Sequence, residues 1–436
     1  MQKSSRGFRL FLSRFIKMAP MFTRRDFLTT GMHLASASVF AGILEEALGA
    51  GKRSSRIWAS RELNGQGGSG AVPPGPNAEG MIVYSEEYVT REMPMSLLKS
   101  WITPAEHFFV RNNEHMPEVN LADWKLSVTG EVARPLTLTM DELAKIEPRS
   151  VTNALECAGN GRAFFQPRIK GVPWTRGGVG NAVFKGPPLG ALLRLAGAKS
   201  AARHVAFRGA ALPSRDPQFI RSIPIDKAMN ADTIVATEMN GLPLAPEHGY
   251  PARALVPGWI GSASIKWLTE IRVMTHEFEG YYMDSAYRLP SHAGPSGVKD
   301  SAGSAVAERG SVITSLPVKS VIAMPAEGST IQAAPQPVRI FGAAWAGTAT
   351  VARVDISTDG GTSWQPAALG AEHARYAWRL WDLEWKAPRE GNYVILSRAT
   401  DSRGRRQPME MQWNPEGYLW NAVDRVRIKV AKTSAL

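Results

Sequence analysis

The strongest constraint on the fold is a change of sequence texture near residue 311. Before it, short strand-like and helix-like stretches mix without a strict βαβ rhythm. After it, every periodic stretch reads as strand. Residues 291–310, rich in Ser, Gly, Ala and charged side chains, read as the linker between the two textures. A chain of 436 residues is too long for one ordinary domain. An α+β domain over 80–300 and an all-β domain over 311–436 are therefore expected.

In the second stretch, Val338–Trp345, Val351–Ser357, Tyr393–Ala399 and Val426–Val430 alternate apolar and polar residues, and Asp359-Gly360-Gly361 is a tight hairpin signal. This spacing predicts an immunoglobulin-like β-sandwich without a disulfide. Trp345, Trp364, Trp378, Trp381, Trp385, Trp413 and Trp420 gather there. They read either as core or, more sharply, as part of a subunit interface, where Trp is enriched. In the first stretch, Phe108–Arg111, Trp124–Gly130, Ser150–Leu155, Val205–Phe207 and Thr233–Ala236 read as strands. Thr139-Met140-Asp141-Glu142 fits a capping box, and Pro188–Ala196 has helical spacing with Gly197 as its stop.

Thr23-Arg24-Arg25-Asp26-Phe27-Leu28 precedes a moderately apolar run to Leu44 and small residues at Ala47–Ala50. This is the layout of a twin-arginine export signal over residues 1–50, and it predicts a periplasmic protein exported already folded. Met18 or Met21 would serve as an alternative start. Residues 51–79, rich in Gly, Ser, Pro and Asn, read as a flexible arm.

Ala154-Leu155-Glu156-Cys157-Ala158-Gly159-Asn160-Gly161-Arg162 holds the one cysteine of the chain. It should lie where a strand meets a tight turn, with backbone amides and Arg162 nearby. That setting suits a metal-bound or nucleophilic thiolate; a buried thiol packed as a small hydrophobe is the plainer reading. A single cysteine excludes a disulfide framework and CxxC motifs. The net charge is +12, but no basic run is interleaved with aromatics beyond residue 60, so no nucleic-acid partner is expected. Neither Gly159-Asn160-Gly161 nor Gly177-Gly178-Val179-Gly180 completes a dinucleotide fingerprint.

Several stretches agree in order. They are Phe108-Phe109-Val110-Arg111-Asn112, Leu155–Arg162, Glu238–Leu244, His248-Gly249-Tyr250-Pro251-Ala252-Arg253, Val256–Gly261, Lys266-Trp267, Ala286-Tyr287-Arg288, Asp359–Trp364 and Ala377–Trp381. Together they resemble the sulfite oxidase family of molybdenum enzymes, most closely its bacterial exported sulfite dehydrogenases. The resemblance implies an α+β molybdopterin-binding domain followed by an immunoglobulin-like dimerisation domain. It makes Cys157 the molybdenum ligand. It places Arg111, Arg162 and Arg425 around a substrate anion, with Tyr287 as the active-site tyrosine. Asn112, Asn113, His248, Arg253, Ser264, Ile265 and Lys266 would hold the pterin and its phosphate. Asn113 stands where animal enzymes carry histidine, and Ala211 where the family has a pterin-contacting aspartate.

The implied activity is oxidation of sulfite to sulfate. No CxxCH is present to attach haem, so electrons should pass to a separate acceptor, such as a c-type cytochrome, and the chain should pair as a homodimer or with a cytochrome subunit. The rivals are a sulfane-sulfur dehydrogenase subunit, whose motif would read Cys-Ser-Gly-Asn, and a non-catalytic subunit that keeps the fold.

Overall fold

The computed structural model describes residues 80–210, 217–289, 310–333, 336–386 and 389–432. The export signal, the flexible arm, Ala211 and most of the 291–310 linker lie outside the described residues.

The first part is built on two sheets. A five-stranded sheet runs in the order Leu136–Leu138, Leu126–Gly130, Leu268–Met274, His204–Gly209, Ile220–Pro224. Its one parallel pair joins Leu126–Gly130 to Leu268–Met274. A four-stranded antiparallel sheet runs Leu242–Pro243, Glu238–Met239, Val179–Gly186, Arg149–Glu156. Short helices close the gaps. Thr139 caps Met140–Ala144 through the expected reciprocal box with Glu142. Leu189–Ala196 buries Leu189, Leu192, Leu193 and Ala196, and ends at left-handed Gly197. The mixed α+β reading thus stands. Phe108–Arg111 forms no strand: Val110 makes only an isolated bridge to Arg91, while Phe108 and Phe109 sink into the core.

The second part is a sandwich. One sheet runs Lys319–Met324, Val338–Trp345, Arg379–Trp385, Ala368–Leu369; the other runs Thr330–Gln332, Asp424–Ala431, Gly391–Asp401, Val351–Ser357, Gln365–Pro366. Ile340, Trp381, Val354, Ile395, Val426 and Ile428 from both sheets fill the space between them. The Asp359 turn folds Val351–Ser357 back onto the short strand Gln365–Pro366. Burial decides the tryptophan question for most of the cluster. Trp345, Trp378, Trp381 and Trp385 are core residues, whereas Trp413 is exposed.

The two parts share a core. Ala154, Ala158, Val179 and Ile260 pack with Val321, Phe341, Trp345, Trp378 and Tyr418. Backbone bonds stitch the same surface: Ala154 N to Tyr376 O (2.8 Å), Ile260 N to Thr314 O (2.9 Å) and Leu419 N to Ala158 O (2.8 Å). At its centre lies a buried ion pair, Lys319 Nζ to Glu156 Oε1 at 2.8 Å, with both side chains 4% exposed. Removing one partner leaves the other charge unpaired in a low dielectric. Lys319→Met should therefore lower unfolding free energy by about 3–5 kcal/mol. Lys185→Met, which breaks the open pair with Glu238, should cost at most about 1 kcal/mol. Urea unfolding of both variants measures the contrast.

Candidate active site

The strand Arg149–Glu156 delivers Cys157 to a turn rather than to further sheet. Cys157 N donates to Gly178 O (2.9 Å), and Asn160 N donates back to Cys157 O (2.9 Å), which closes the turn. Gly161 takes φ +95°, and a Cβ there would sit 2.6 Å from the Trp420 ring. Glycine is thus required by both backbone and space.

Cys157 is half-buried and faces a cavity that Arg111, Asn112, Asn113, His248, Arg253, Ser264, Ile265, Lys266 and Tyr287 also line. Burial pushes the thiol pKa up; the positive charges of Arg162 and Arg111 and the Gly159 N–H oppose it. Tyr287 adopts φ +56°, which carries its ring to the cavity wall. Asn113 Nδ2 donates to Tyr287 Oη (3.4 Å), the Tyr418 ring stacks on it at 5.4 Å, and the Arg221 guanidinium lies 4.9 Å from its centroid.

The cavity lining is rich in cations. Lys266 donates to Asn112 Oδ1 and to Glu247 O, the latter at 2.8 Å. Its pKa lies well below the ordinary lysine value, through burial first and then through the like charges of Arg253 and Arg111. Arg253 is held by the His248 carbonyl (2.9 Å) and the Ser264 carbonyl (3.0 Å). Burial lowers its pKa to about 10. His248 Nε2 donates to Ala105 O (2.9 Å); burial, opposed by that bond, brings its pKa to about 4.

Among the described residues no cluster of three or more His, Cys, Asp or Glu side chains is placed to hold a metal ion. A metal here needs ligands from outside the polypeptide beside the Cys157 sulfur. The cavity residues fit an organic, anionic group that carries such ligands. Asn112 Nδ2, Arg253 Nε and Ser262 Oγ are buried there without a hydrogen-bond partner, and orphaned buried polar atoms of this kind are costly. Arg111 and Arg253 act as like charges on Lys266, with Glu247 opposing them, and Arg208 lines the same cavity. An anion with many acceptor oxygens answers both.

Residues 113–282 match the family model of the oxidoreductase molybdopterin binding domain, and residues 310–431 that of the Mo-co oxidoreductase dimerisation domain. The chain is 33% identical over 366 residues to sulfite oxidase of Gallus gallus, covering 80% of this chain and 78% of that one. Its identity to mitochondrial sulfite oxidase of Rattus norvegicus is 35% over 364 residues, covering 80% of this chain and 65% of that one. A solved structure of the sulfane dehydrogenase SoxCD from Paracoccus pantotrophus matches with TM-score 0.68 and 28% identity, covering 80% of this chain and 86% of the other.

The chain belongs to the sulfite oxidase family.

It spans less than two thirds of several relatives: 61% of the Drosophila melanogaster enzyme and 65% of the rat enzyme. Its architecture is that of the family, a molybdopterin-binding domain followed by a dimerisation domain.

The expected site residues do not all meet. Arg425 does not line the Cys157 cavity. In Asp424–Ala431 the residues Asp424, Val426, Ile428 and Val430 point inward, so strand alternation turns Arg425 outward. It lines a separate groove with Arg176, Phe164, Trp413 and Trp420. Arg162 is close but braced: Nε donates to Glu416 O (3.1 Å) and Nη1 to Val172 O (3.1 Å), and its guanidinium lies 5.5 Å from the Tyr418 ring centroid. Its charge reaches the thiol although it is absent from the cavity lining.

Sequence reasoning missed Arg221 and Tyr418. Arg221 is 1% exposed, its Nε has no partner, and burial lowers its pKa to about 10. Its one visible signal was an arginine inside the apolar strand Ile220–Pro224. Tyr418 carried no signal, because only folding brings residue 418 beside residue 287.

The His248 pKa implies a pH dependence. An unfolded histidine protonates near 6.5, whereas His248 stays neutral down to about 4. Between those values the unfolded state binds the extra proton, so stability falls as pH drops from 6.5 to 4. The loss is roughly 3 kcal/mol at 1.4 kcal/mol per pH unit. His248→Gln should flatten this part of the profile, and denaturant titrations across the window will show it.

Proposed function

We propose that the chain catalyses molybdenum-dependent oxidation of sulfite to sulfate and passes the electrons to an external acceptor. The supporting observation is the meeting, in one cavity, of the single thiol, Arg111, Tyr287 and the cationic, donor-rich residues Arg253 and Lys266. Membership of the sulfite oxidase family supports the same reading.

In this reading Cys157 holds the metal as a thiolate, a soft ligand suited to it. Binding removes the proton that burial otherwise keeps on the sulfur. Asn112, Asn113, His248, Arg253, Ser264, Ile265 and Lys266 hold the pterin and its phosphate. The orphaned donors of Asn112, Arg253 and Ser262 acquire acceptors in that way. Molybdenum, when bound, supplies the two-electron oxidation.

The remaining work falls to the side chains. Arg111 draws the sulfite dianion into the cavity and orients it with paired donors. Arg162 adds positive potential at the Cys157 turn while its own donors hold the 172 and 416 segments. Tyr287 donates from its hydroxyl, its ring held by Tyr418 and Arg221. Export to the periplasm, a c-type cytochrome as acceptor and pairing through the dimerisation domain belong to the same proposal. A sulfane sulfur substrate is the second reading, because the similar solved structure is a sulfane dehydrogenase.

Metal-replete protein should reduce ferricyanide or cytochrome c when sulfite is added, and should contain molybdenum by elemental analysis. Cys157→Ser should abolish the sulfite-dependent reduction. Arg111→Gln should raise KM for sulfite by about 10-fold to 100-fold, the equivalent of one charge-assisted hydrogen bond. A molybdenum-loaded protein that reduces no acceptor with sulfite would overturn the proposal. Turnover with thiosulfate or another sulfane compound in its place would favour the second reading.

A further inference from the structure

The residue before Cys157 is anchored from the other domain. Glu156 is 3% exposed. Its Oε1 accepts from Lys319 Nζ (2.8 Å) and Asn160 Nδ2 (2.8 Å), and its Oε2 accepts from Trp345 Nε1 (2.7 Å). Lys319 Nζ also donates to Asn160 O (3.1 Å). Lys319 and Trp345 lie directly opposite each other in the register of Lys319–Met324 against Val338–Trp345. A cross-strand pair of the sandwich thus presents both its donors to one carboxylate of the first domain.

The other end of the turn is tied to the same point. Asn160 closes the turn onto Cys157 O (2.9 Å), and its Oδ1 accepts from Gly178 N (3.0 Å). Cys157 N donates to Gly178 O (2.9 Å). Glu156 on one side of the cysteine and Asn160 on the other therefore converge on the Lys319 ammonium. A buried ion pair is weak ground for stability, since apolar residues of the same volume often serve as well. Its better-attested use is to fix register, and what it registers here is the turn that carries the thiol.

We infer that Lys319 and Trp345 are positioning residues for Cys157: through the Glu156 carboxylate, the second domain sets where the thiol lies in the cavity. The inference deepens the proposed function and rests on Cys157 as the functional thiol. Its test needs neither sulfite nor molybdenum, so it stands or falls apart from that reading.

Cys157 is the sole cysteine, so N-ethylmaleimide reports on it alone. The full chain, made without cofactor, is alkylated at one fixed pH and at increasing low urea concentrations. Lys319→Met should react about fivefold or more faster than wild type, with little urea dependence, the mark of a local opening. Lys319→Arg, which keeps a cation at the carboxylate, should return to within about twofold of wild type. Should Lys319→Met fail to fold, the neutral double variant Glu156→Gln/Lys319→Met takes its place with the same expectation. A wild-type rate in the folded variant overturns the inference. So does acceleration that carries the full urea dependence of global unfolding, because that outcome means lost stability alone.

Discussion

The Glu156 carboxylate is the point on which the two domains and the cavity meet. It is a charge taken out of water, and it persists because three donors answer it: the Lys319 ammonium, the Trp345 indole and the Asn160 amide. Around this point the apolar cluster of Ala154, Val179, Phe341, Trp345 and Trp378 excludes solvent and strengthens each of those bonds. The arrangement couples folding of the sandwich to completion of the cavity. The Cys157 turn lacks its anchor until Lys319–Met324 and Val338–Trp345 are paired.

The cavity itself is an unbalanced charge system. Arg111, Arg253 and Lys266 repel one another, His248 is held neutral by burial, and several buried donors have no acceptor. A fold tolerates such a region where an anionic ligand completes it. Lys266 and Arg253 are themselves held, by the carbonyls of Glu247, His248 and Ser264. Arg111 acts on both the Lys266 ammonium and the Cys157 thiol.

Much of the local structure was legible. The capping box at Thr139, the helix Leu189–Ala196 with its Gly197 stop and the strands Val338–Trp345 and Val351–Ser357 follow the expected residues. Each carries its signal within a few residues of itself. Strand Lys319–Met324 was missed because it is almost wholly buried, which removes the alternation that reveals half-buried strands. Strand Val179–Gly186 was missed because its glycines and single polar residues hide its pattern. Phe108–Arg111 looked like a strand by composition alone, yet its aromatic pair is used for packing.

The ordered motifs around Cys157, Arg111, His248–Arg253 and Lys266 are properties of the chain alone, and with them came the family, the two-domain order and most of the cavity wall. The Gly159-Asn160-Gly161 run also announced a tight turn after Cys157, and Gly161 is left-handed there. Tertiary structure alone decided which arginines face the thiol. Strand alternation turned Arg425 outward, and packing put Arg221 against Tyr287. It alone joined Glu156 to Lys319 and Trp345, partners 163 and 189 residues away. The reason is physical: side-chain direction within a strand is a local property, but the partner of a buried charge is chosen by which surfaces meet when the core closes.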